Sequence, residues 1–178
     1  MTTCLLEAME PTWPPLRAWR EGEWTMRDGG GGGGRVSAVT LYEAAVADIA
    51  GPSDAVAEWP PSAATVEMWA EQGKIGPERL AVMERAADPK TVISMPGGAG
   101  FLGVNGDLAV LHALEVSPAH RRQGRAREII RGAALWAVVR GATRFALVVS
   151  DDNPIAHALY KGLGMRVAGH YHYRRVAG

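Results

Sequence analysis

The chain has 178 residues, of which 47% are hydrophobic and 21% charged, a composition typical of globular proteins and not of disordered ones. Nineteen Lys and Arg balance nineteen Asp and Glu, so the formal net charge is zero. A general nucleic-acid binder usually carries a basic excess, so the composition argues against that class. The length predicts a single domain, residues 1–178, large enough to bury its own core.

The cysteine content and the hydrophobic profile indicate the cellular compartment in which the protein is expected. Cys4 is the one cysteine, so no intramolecular disulfide is possible, which fits a reducing environment. The N-terminus has no basic segment followed by an apolar run of the signal-peptide type. No apolar stretch approaches the roughly 20 residues of a membrane helix. We therefore expect a cytoplasmic protein with neither a membrane nor a nucleic acid as its partner.

The first part of the chain predicts short elements. Two prolines precede Leu16–Arg20, which predicts a short helix. Glu23–Arg27 alternates like a strand, and Val36–Leu41 predicts a second strand, which together suggest a hairpin with the glycine run Gly29–Gly34 at its tip. That run satisfies the phosphate-binding pattern G-x-G-x-x-G only trivially, because no strand–loop–helix unit surrounds it.

Helical and strand patterns then follow in blocks. Glycine and proline breaks separate three predicted helices: Tyr42–Ile49, Ala63–Gln72 and Pro77–Ala87. Strands are predicted over Thr91–Met95 and Phe101–Val104, and Asn105-Gly106 is a tight-hairpin signal.

The chain from Leu108 onwards alternates strands and helices. Leu108–Val116 is almost entirely apolar, which predicts a central strand covered on both faces. The remaining predicted elements are a helix from about Gly124 to Arg140, a strand Thr143–Val149, a helix capped by Asn153 and ending near Leu163, and a final strand or strand pair, Met165–Arg174.

The loop between the central strand and its helix is the most informative segment. It reads Arg121-Arg122-Gln123-Gly124-Arg125-Ala126, with further arginines at 127 and 131. A glycine-bearing loop that opens a helix directs free backbone N–H groups and the positive end of the helix dipole at one point. Arginines complement phosphate oxygens, so this loop predicts a site for a small polyanion.

The sequence here resembles the GNAT superfamily of acetyl-CoA-dependent N-acetyltransferases. The family's pyrophosphate motif, Arg/Gln-x-x-Gly-x-Gly/Ala, corresponds to Arg121–Ala126, and Leu114–Pro118 resembles its central strand and exit. Asn153–Ala156 and Leu159–Met165 resemble its second cofactor segment, with Met165 in place of the usual phenylalanine. The resemblance covers about residues 90–175.

The resemblance implies a fold and a reaction. The fold would be α/β (α+β), with a mixed, mostly antiparallel central sheet flanked by helices and a central strand that splays from its neighbour. Residues 91–178 would bind acetyl-CoA as cosubstrate, and residues 1–90 would form the substrate side. The acceptor would be an amine of a small molecule or peptide, acetylated by direct transfer, and the protein would be a monomer or a homodimer.

The resemblance also implies roles for individual residues. Tyr160 would be the general acid, and Glu115, or His112 on the same strand, the general base. Strand alternation places Glu115 opposite Leu114 and Val116 unless a bulge changes the register. The cofactor would contact the following residues: Leu114, Val116, Arg121, Arg122, Gln123, Gly124, Arg125, Ala126, Arg127, Asn153, Ala156 and Tyr160.

Other interpretations remain open at the level of sequence. Tyr160 is also explained as a core aromatic and Asn153 as a helix cap alone. His170 and His172 have the spacing of a metal pair on a strand, but no third ligand is evident, and we predict no metal. The tryptophans of the first seventy residues suit an aromatic amine pocket or plain core packing equally well. The alternative to an enzyme is a non-catalytic acetyl-CoA sensor or interaction module of the same fold.

Overall fold

The computed structural model describes residues 5–15, 17–21, 24–28 and 37–173. Strands in these ranges are β1 (Arg17–Glu21), β2 (Trp24–Asp28), β3 (Ser37–Ala45), β4 (Val56–Glu58), β5 (Lys90–Met95), β6 (Gly98–Asn105), β7 (Leu108–Val116), β8 (Arg144–Ser150) and β9 (Arg166–Tyr173). Helices are α1 (Leu5–Met9), α2 (Val46–Ile49), α3 (Ala63–Glu71), α4 (Pro77–Arg85), α5 (Arg125–Val138) and α6 (Pro154–Gly162), with 3-10 turns at Glu10–Thr12 and Pro118–His120.

Seven of the strands form one sheet in the order β4-β5-β6-β7-β8-β3-β9. The β7–β8 pair is parallel and every other pair of neighbours is antiparallel. A parallel pair needs a crossover connection, and α5 supplies it. The predicted fold class, a mixed and mostly antiparallel sheet flanked by helices, is confirmed.

The two faces of the sheet carry different helices because successive strand residues point to opposite sides. Along β7, Ala109 and Leu111 pack with α2, α5 and α6, a side that we call the α5 face. The opposite side, the α3 face, is covered near Leu108 and Val110 by α1 and near Phe101 by α3 and α4. The first half of β7 is therefore buried on both sides, as its apolar sequence predicted.

Several sequence-based predictions of individual elements are confirmed. The helices predicted at Ala63–Gln72 and Pro77–Ala87 are α3 and α4, and the predicted central strand is β7 residue for residue. Asn153 caps α6 through its side-chain oxygen, which accepts the Ala156 N–H at 3.1 Å. The β6–β7 hairpin forms with Gly106 and the following aspartate as its turn, one residue later than predicted.

The predicted helix Leu16–Arg20 and the predicted hairpin between Glu23–Arg27 and Val36–Leu41 are wrong. Arg17–Glu21 is a strand that pairs with β2, whereas β3 lies between β8 and β9 in the large sheet. A five-residue helix must meet the full cost of nucleation, while antiparallel pairing satisfies the same backbone groups. The run Gly29–Gly34 lies outside the described residues.

The predicted helix Tyr42–Ile49 is also largely wrong. Tyr42–Ala45 continues β3, and only Val46–Ile49 is helical. Tyr42 pairs with Leu147 of β8 while its buried ring packs on the α5 face. Burial of a large aromatic between two strands outweighs the weak helical pattern.

Edge strand β4, which the sequence did not reveal, ends at a hydrogen-bonded carboxylate. Glu58 Oε1 accepts hydrogen bonds from the Ser62 N–H (3.3 Å) and from the hydroxyls of Ser62 (3.0 Å), Thr65 (2.9 Å) and Ser94 (3.0 Å). Ser62 is also the N-cap of α3. Burial alone would raise the pKa of Glu58, but these hydrogen bonds hold it below its usual value of 4.5. Glu58 thus links β4, β5 and the start of α3.

Among the described residues, no helix is both long enough and apolar enough to cross a bilayer.

We predict that Glu58→Gln lowers the free energy of unfolding by about 1 kcal/mol at neutral pH, because charge-assisted hydrogen bonds are lost. Since the folded-state pKa is depressed, the stabilisation is complete above the unfolded-chain pKa near 4.5 and disappears as pH falls through the folded value. Urea unfolding at several pH values measures both effects. Glu67→Gln, exposed on α3, is the control, and equal losses in both variants would contradict this role of Glu58.

Candidate active site

Strands β7 and β8 separate at one end of the sheet. They pair in parallel from Leu108, opposite Arg144, to Leu111, opposite Leu147. Yet β7 continues to Val116 and β8 to Ser150. In the described part of the chain, the edge of β7 beyond Leu111 has no strand partner on its β8 side. Its backbone groups therefore line an opening in the middle of the sheet, and the expected splayed central strand is present.

A bulge in β7 accompanies the separation. On the other side, Ala99 pairs with Glu115 and Phe101 with His112, so three steps on β7 match two steps on β6. The extra residue is accommodated at Ala113, whose φ of +52° is in the left-handed region. A bulge of this kind bends the strand and turns the following side chains.

Side chains after the bulge are directed to both faces. Leu114 and Val116 pack against the core of the α5 face. Ala113 packs on the α3 face with a group of aromatic side chains that we call the aromatic cluster: Trp13, Trp59, Trp69 and Phe101. Glu115 lies opposite Ala99, which packs with that same cluster, so it points away from Leu114 and Val116, as strand alternation predicted.

The loop that follows β7 is supported by the turn between β5 and β6. The Ser117 N–H donates to the carbonyl of Gly97 (2.8 Å), and the Ser117 hydroxyl is hydrogen-bonded to His120 Nδ1 (2.8 Å). The His120 ring is so close to Gly97 that a Cβ built there would lie 2.2 Å from Nδ1. Gly97 also has φ of +77°, so both space and backbone conformation require glycine.

The loop enters α5 through two left-handed residues. Arg122 has φ of +61°, and Gly124, the N-cap of α5, has φ of +79°. The first backbone hydrogen bond of the helix runs from the Glu128 N–H to the Gly124 carbonyl (3.1 Å). The N–H groups of the helix residues before Glu128 therefore have no intrahelical partner. These donors and the helix dipole give the loop the backbone geometry that the predicted anion site requires.

The arginines around the loop have different surroundings. Arg121 is exposed and donates to the Val116 carbonyl (3.1 Å) and, through Nη2, to Gln72 Oε1 (3.2 Å). Arg125 is half-buried, and its Nε is a buried donor without a hydrogen-bond acceptor among the described residues. Arg127 reaches α6, where a Cβ built on Gly162 would lie 3.8 Å from its Nη2. The cationic side chains thus extend from the loop to α6.

Glu115 is the acidic group at the opening. Only 14% of its side chain is exposed, and its Oε1 lies 3.1 Å from Nζ of Lys74, which is 61% exposed. Partial burial of a carboxylate is costly unless the group is paired or close to a ligand. Lys74 belongs to the connection between α3 and α4, which brings that connection to the end of β7.

Tyr160 lies across the opening on α6 and is 6% exposed. Its ring packs edge-to-face on Tyr42 (5.5 Å), whose hydroxyl is hydrogen-bonded to His157 Nδ1 (2.9 Å). Burial, followed by the negative charge of Glu115, raises the pKa of Tyr160. The phenol is therefore protonated at neutral pH, and the field of Glu115 reaches it.

His112 lies before the bulge and faces the aromatic cluster. Its ring stacks on Trp13 (4.8 Å), and Nε2 is 3.0 Å from Thr12 Oγ1. Because the Thr12 hydroxyl donates to the Met9 carbonyl (2.6 Å), the hydroxyl oxygen accepts from His112 Nε2–H. Burial lowers the pKa of His112 to about 3. His112 is thus a neutral imidazole with a packing role, separated from Glu115 by the bulge.

The remaining predicted residues lie around the end of β8. Asn153 and Ala156 form the cap of α6, at the strand end that separates from β7. His170 Nδ1 lies 3.2 Å from Thr40 Oγ1, whose hydroxyl donates to Asp151 (2.7 Å). The side chain of His172 is outside the described residues.

Among the tryptophans of the first seventy residues, those with described side chains lie in the core or pack against it. Trp13 and Trp59 contact Phe101, and Trp69 is fully buried beside them. The side chains of Trp19 and Trp24 lie outside the described residues. A cavity of about 230 Å³ lies next to this cluster, away from every predicted site residue, and is lined by Trp59, Pro60, Pro61, Val66, Leu80, Met83 and Glu84.

Sequence reasoning missed Lys74, Gln72, Tyr42 and His157. Lys74 and Gln72 sit in a connection that carried no motif, and they reach the site through contacts more than forty residues apart. The local pattern around Tyr42 favours a helix and so hides its place in the sheet. For His157 the signal is weak: it lies three residues before Tyr160 on α6, a spacing that places both side chains on one face of the helix.

Comparison with known proteins agrees with this geometry. The sequence model described as the acetyltransferase (GNAT) family matches residues 51–165. An aminoglycoside N(6')-acetyltransferase type 1 of Acinetobacter haemolyticus is 34% identical over 84 residues, which are 45% of this chain and 58% of that protein. One from Acinetobacter baumannii is 35% identical over 57 residues, 32% of this chain and 39% of that protein. The matched segments thus span less than two thirds of these relatives.

Solved structures show the same fold. A GNAT-family acetyltransferase from Novosphingobium aromaticivorans superposes with a TM-score of 0.58 at 19% identity, covering 80% of this chain and 66% of that one. The aminoglycoside N-acetyltransferase AAC(6')-Iy in complex with CoA superposes with a TM-score of 0.55 at 18% identity, covering 70% and 100%. With a family match over more than half of its residues and a sheet that splays at β7, this chain belongs to the GNAT acetyltransferase family.

Proposed function

We propose that this protein is an N-acetyltransferase that moves the acetyl group of acetyl-CoA directly to a primary amine of a small-molecule acceptor. The observation that carries the proposal is the separation of β7 from β8 beyond Leu111. In this proposal, open backbone groups, a half-buried carboxylate, a protonated phenol and the loop before α5 act together at that opening. Residues 1–178 act as one domain in this proposal, with the acceptor entering from the side of residues 1–90.

The residues present fit acetyl-CoA. Its pyrophosphate matches the open N–H groups at the start of α5 and the adjacent Arg121, Arg122 and Arg125. The Nε of Arg125 is a buried donor without an acceptor among the described residues, and a phosphate oxygen would satisfy it. Gln123, whose side chain donates to the Ala119 carbonyl (3.1 Å), closes the loop, and Ala126 keeps the first helical turn small.

The remaining contacts to acetyl-CoA follow the two strand ends. The edge of β7 at Leu114 and Val116 offers backbone groups to the pantetheine arm and to the thioester oxygen. Asn153 and Ala156 lie at the end of β8, on the other side of the same opening. When bound, acetyl-CoA supplies an activated acetyl group and a thiolate leaving group.

Glu115 and Tyr160 have complementary tasks in the transfer. Glu115 accepts a proton from the attacking amine, directly or through one water, while open N–H groups of β7 stabilise negative charge on the thioester oxygen. Tyr160 donates its proton to the departing sulfur. A phenol with a raised pKa is protonated when the reaction begins, as a general acid must be. Glu115 is preferred to His112 as the base because His112 faces the aromatic cluster and is a weak base.

The class of acceptor is inferred from the relatives. Both Acinetobacter relatives are named as aminoglycoside N(6')-acetyltransferases, and one structural neighbour is complexed with a bisubstrate analogue of CoA and acetylneamine. Aminoglycosides are therefore the first acceptors to test, followed by other small amines and by peptide amines. A carboxylate such as Glu115 at the opening suits a cationic amine.

We predict that acetyl-CoA raises the melting temperature of the protein far more than ADP or free pantetheine does, and that Gly124→Glu abolishes the effect. At a hundredfold excess over the dissociation constant, binding stabilises the folded state by about 2.7 kcal/mol. The new carboxylate would repel phosphate and fill the space that the ligand needs. Differential scanning fluorimetry measures the shift.

Gly141→Glu is the matched control for this experiment. Gly141 follows the opposite end of α5, is exposed, and has φ of +81°, close to the +79° of Gly124; a Cβ meets nothing within 4 Å at either glycine. Both variants therefore carry the same backbone strain. A normal acetyl-CoA shift in Gly124→Glu, or an equal loss in Gly141→Glu, would refute the assignment of the loop.

We predict that Glu115→Gln and Tyr160→Phe each lower kcat by roughly 10²- to 10⁴-fold, the range for loss of a proton-transfer group. Both variants conserve shape, so the acetyl-CoA-induced melting shift should persist. The assay monitors release of CoA thiol with neamine as acceptor, followed by other primary amines. Tyr42→Phe, which removes a hydroxyl bonded to His157, is the control, with an expected loss of less than tenfold.

The same variants decide between enzyme and sensor. A non-catalytic acetyl-CoA-binding module predicts an acetyl-CoA shift without turnover of any amine, and no difference between wild type and Glu115→Gln. Turnover that depends on Glu115 and Tyr160 excludes it.

A further inference from the structure

An intramolecular primary amine occupies the position where the proposed function places the acceptor. Lys74 Nζ lies 3.1 Å from Oε1 of Glu115, within hydrogen-bond distance of the carboxylate assigned as the general base. The Glu115 side chain is only 14% exposed, whereas Lys74 is 61% exposed. The amine of Lys74 thus reaches the Glu115 carboxylate from the solvent side, as an external amine would.

The connection that carries Lys74 is held at the mouth of the site by two other contacts. Gln72 accepts a hydrogen bond from Nη2 of Arg121 in the anion-binding loop (3.2 Å). Ile75 is buried, 2% exposed, against the aromatic cluster of the α3 face. Residues 72–75 therefore contact both the anion-binding loop and Glu115. The amine of Lys74 lies on the segment between the two fixed residues, Gln72 and Ile75.

The ion pair is easily broken. Because the lysine side of the pair is exposed, solvent screens the attraction and the pair contributes little to stability. A long lysine side chain also keeps much of its freedom, so Nζ can exchange between the carboxylate and the adjacent opening.

The other two lysines of the chain have different surroundings. Lys90 Nζ donates to the carbonyls of Glu84 (2.6 Å) and Ala86 (2.7 Å), and only 9% of its side chain is exposed. Lys161 is exposed on α6. In the described ion pairs, Glu115 is paired with Lys74 and with neither of these two lysines.

We propose that Lys74 is an internal acetyl acceptor, so that in the absence of an external amine the enzyme acetylates its own Lys74; this rests on the proposed function. Glu115 takes one proton from the Lys74 ammonium, and the freed amine attacks the thioester carbon. The new C–N bond forms, the C–S bond breaks, and the second proton of the nitrogen passes to water. Tyr160 protonates the departing thiolate and is reprotonated by solvent. The products are Nζ-acetyllysine at position 74 and free CoA.

The test is mass-spectrometric mapping of the full-length protein after incubation with isotopically labelled acetyl-CoA and no added amine. We expect the Lys74 peptide to be acetylated at least tenfold faster than the Lys161 peptide, and the rate at Lys74 to fall by roughly 10²-fold in Glu115→Gln. Lys161 reports spontaneous acetylation in the same sample. Glu67→Gln, exposed on α3 and outside the site, should leave labelling of Lys74 unchanged. Equal labelling of Lys74 and Lys161, or the same rate at Lys74 in wild type and Glu115→Gln, would overturn the proposal.

A second readout measures proximity rather than turnover. Bromoacetyl-CoA carries an electrophilic carbon at the position of the acetyl methyl group, and an adjacent amine displaces its bromide. We expect wild-type protein to be alkylated at Lys74 before Lys161, and excess CoA to protect Lys74. Alkylation of both lysines at the same rate, with no protection by CoA, would show that Nζ of Lys74 does not reach the acetyl group.

Failure of this proposal is distinguishable from failure of the proposed function. If acetyl-CoA shifts the melting temperature and external amines are acetylated while Lys74 stays unlabelled, only the role of Lys74 is refuted. If acetyl-CoA neither binds nor labels the protein, both are refuted.

Discussion

Backbone hydrogen bonding along β7 is the constraint on which the site depends. The strand is paired with β6 along its length, but its extra residue at Ala113 rotates the backbone so that pairing with β8 ends at Leu111. A left-handed alanine costs about 1–2 kcal/mol relative to ordinary strand conformation. This strain is compensated by the large buried core on either side of the first half of β7. Strain of this kind, held in place by its surroundings, is typical of functional sites.

Electrostatics at the opening depend on one carboxylate. Glu115 is paired with Lys74 on the solvent side, and its charge also contributes to the raised pKa of Tyr160 on α6. Binding of any cation or anion near Glu115 therefore affects the phenol as well. Because Gln72 contacts Arg121, the connection that presents Lys74 is also in contact with the loop assigned to the phosphates. The two halves of the site are thus physically continuous.

The sequence predicted the C-terminal half of the fold well and the N-terminal part poorly. From Leu108 onwards the elements are long, strongly apolar and bounded by Gly, Pro or Asn, so local pattern and tertiary structure agree. Arg17–Glu21 and Tyr42–Ala45 are instead decided by partners far along the chain, such as β8 for Tyr42, which a local pattern does not contain. The same limit applies to the site. Motifs pointed to the loop and Tyr160 as candidates, whereas the Lys74–Glu115 pair joins positions about forty residues apart and left no motif.

The place of β3 in the sheet has a consequence for biosynthesis. It lies between β8 and β9, so its partners are residues 144–150 and 166–173, which are made about a hundred residues later or more. Non-local pairing of this kind slows folding, because a long loop must close before any contact forms. Leu41 and Tyr42 are both deeply buried in the final structure. On the nascent chain, their apolar surfaces therefore stay exposed to water until β8 and β9 have been made. Chaperone binding during translation would be directed first at this strand, since exposed apolar strands are the segments most prone to aggregate.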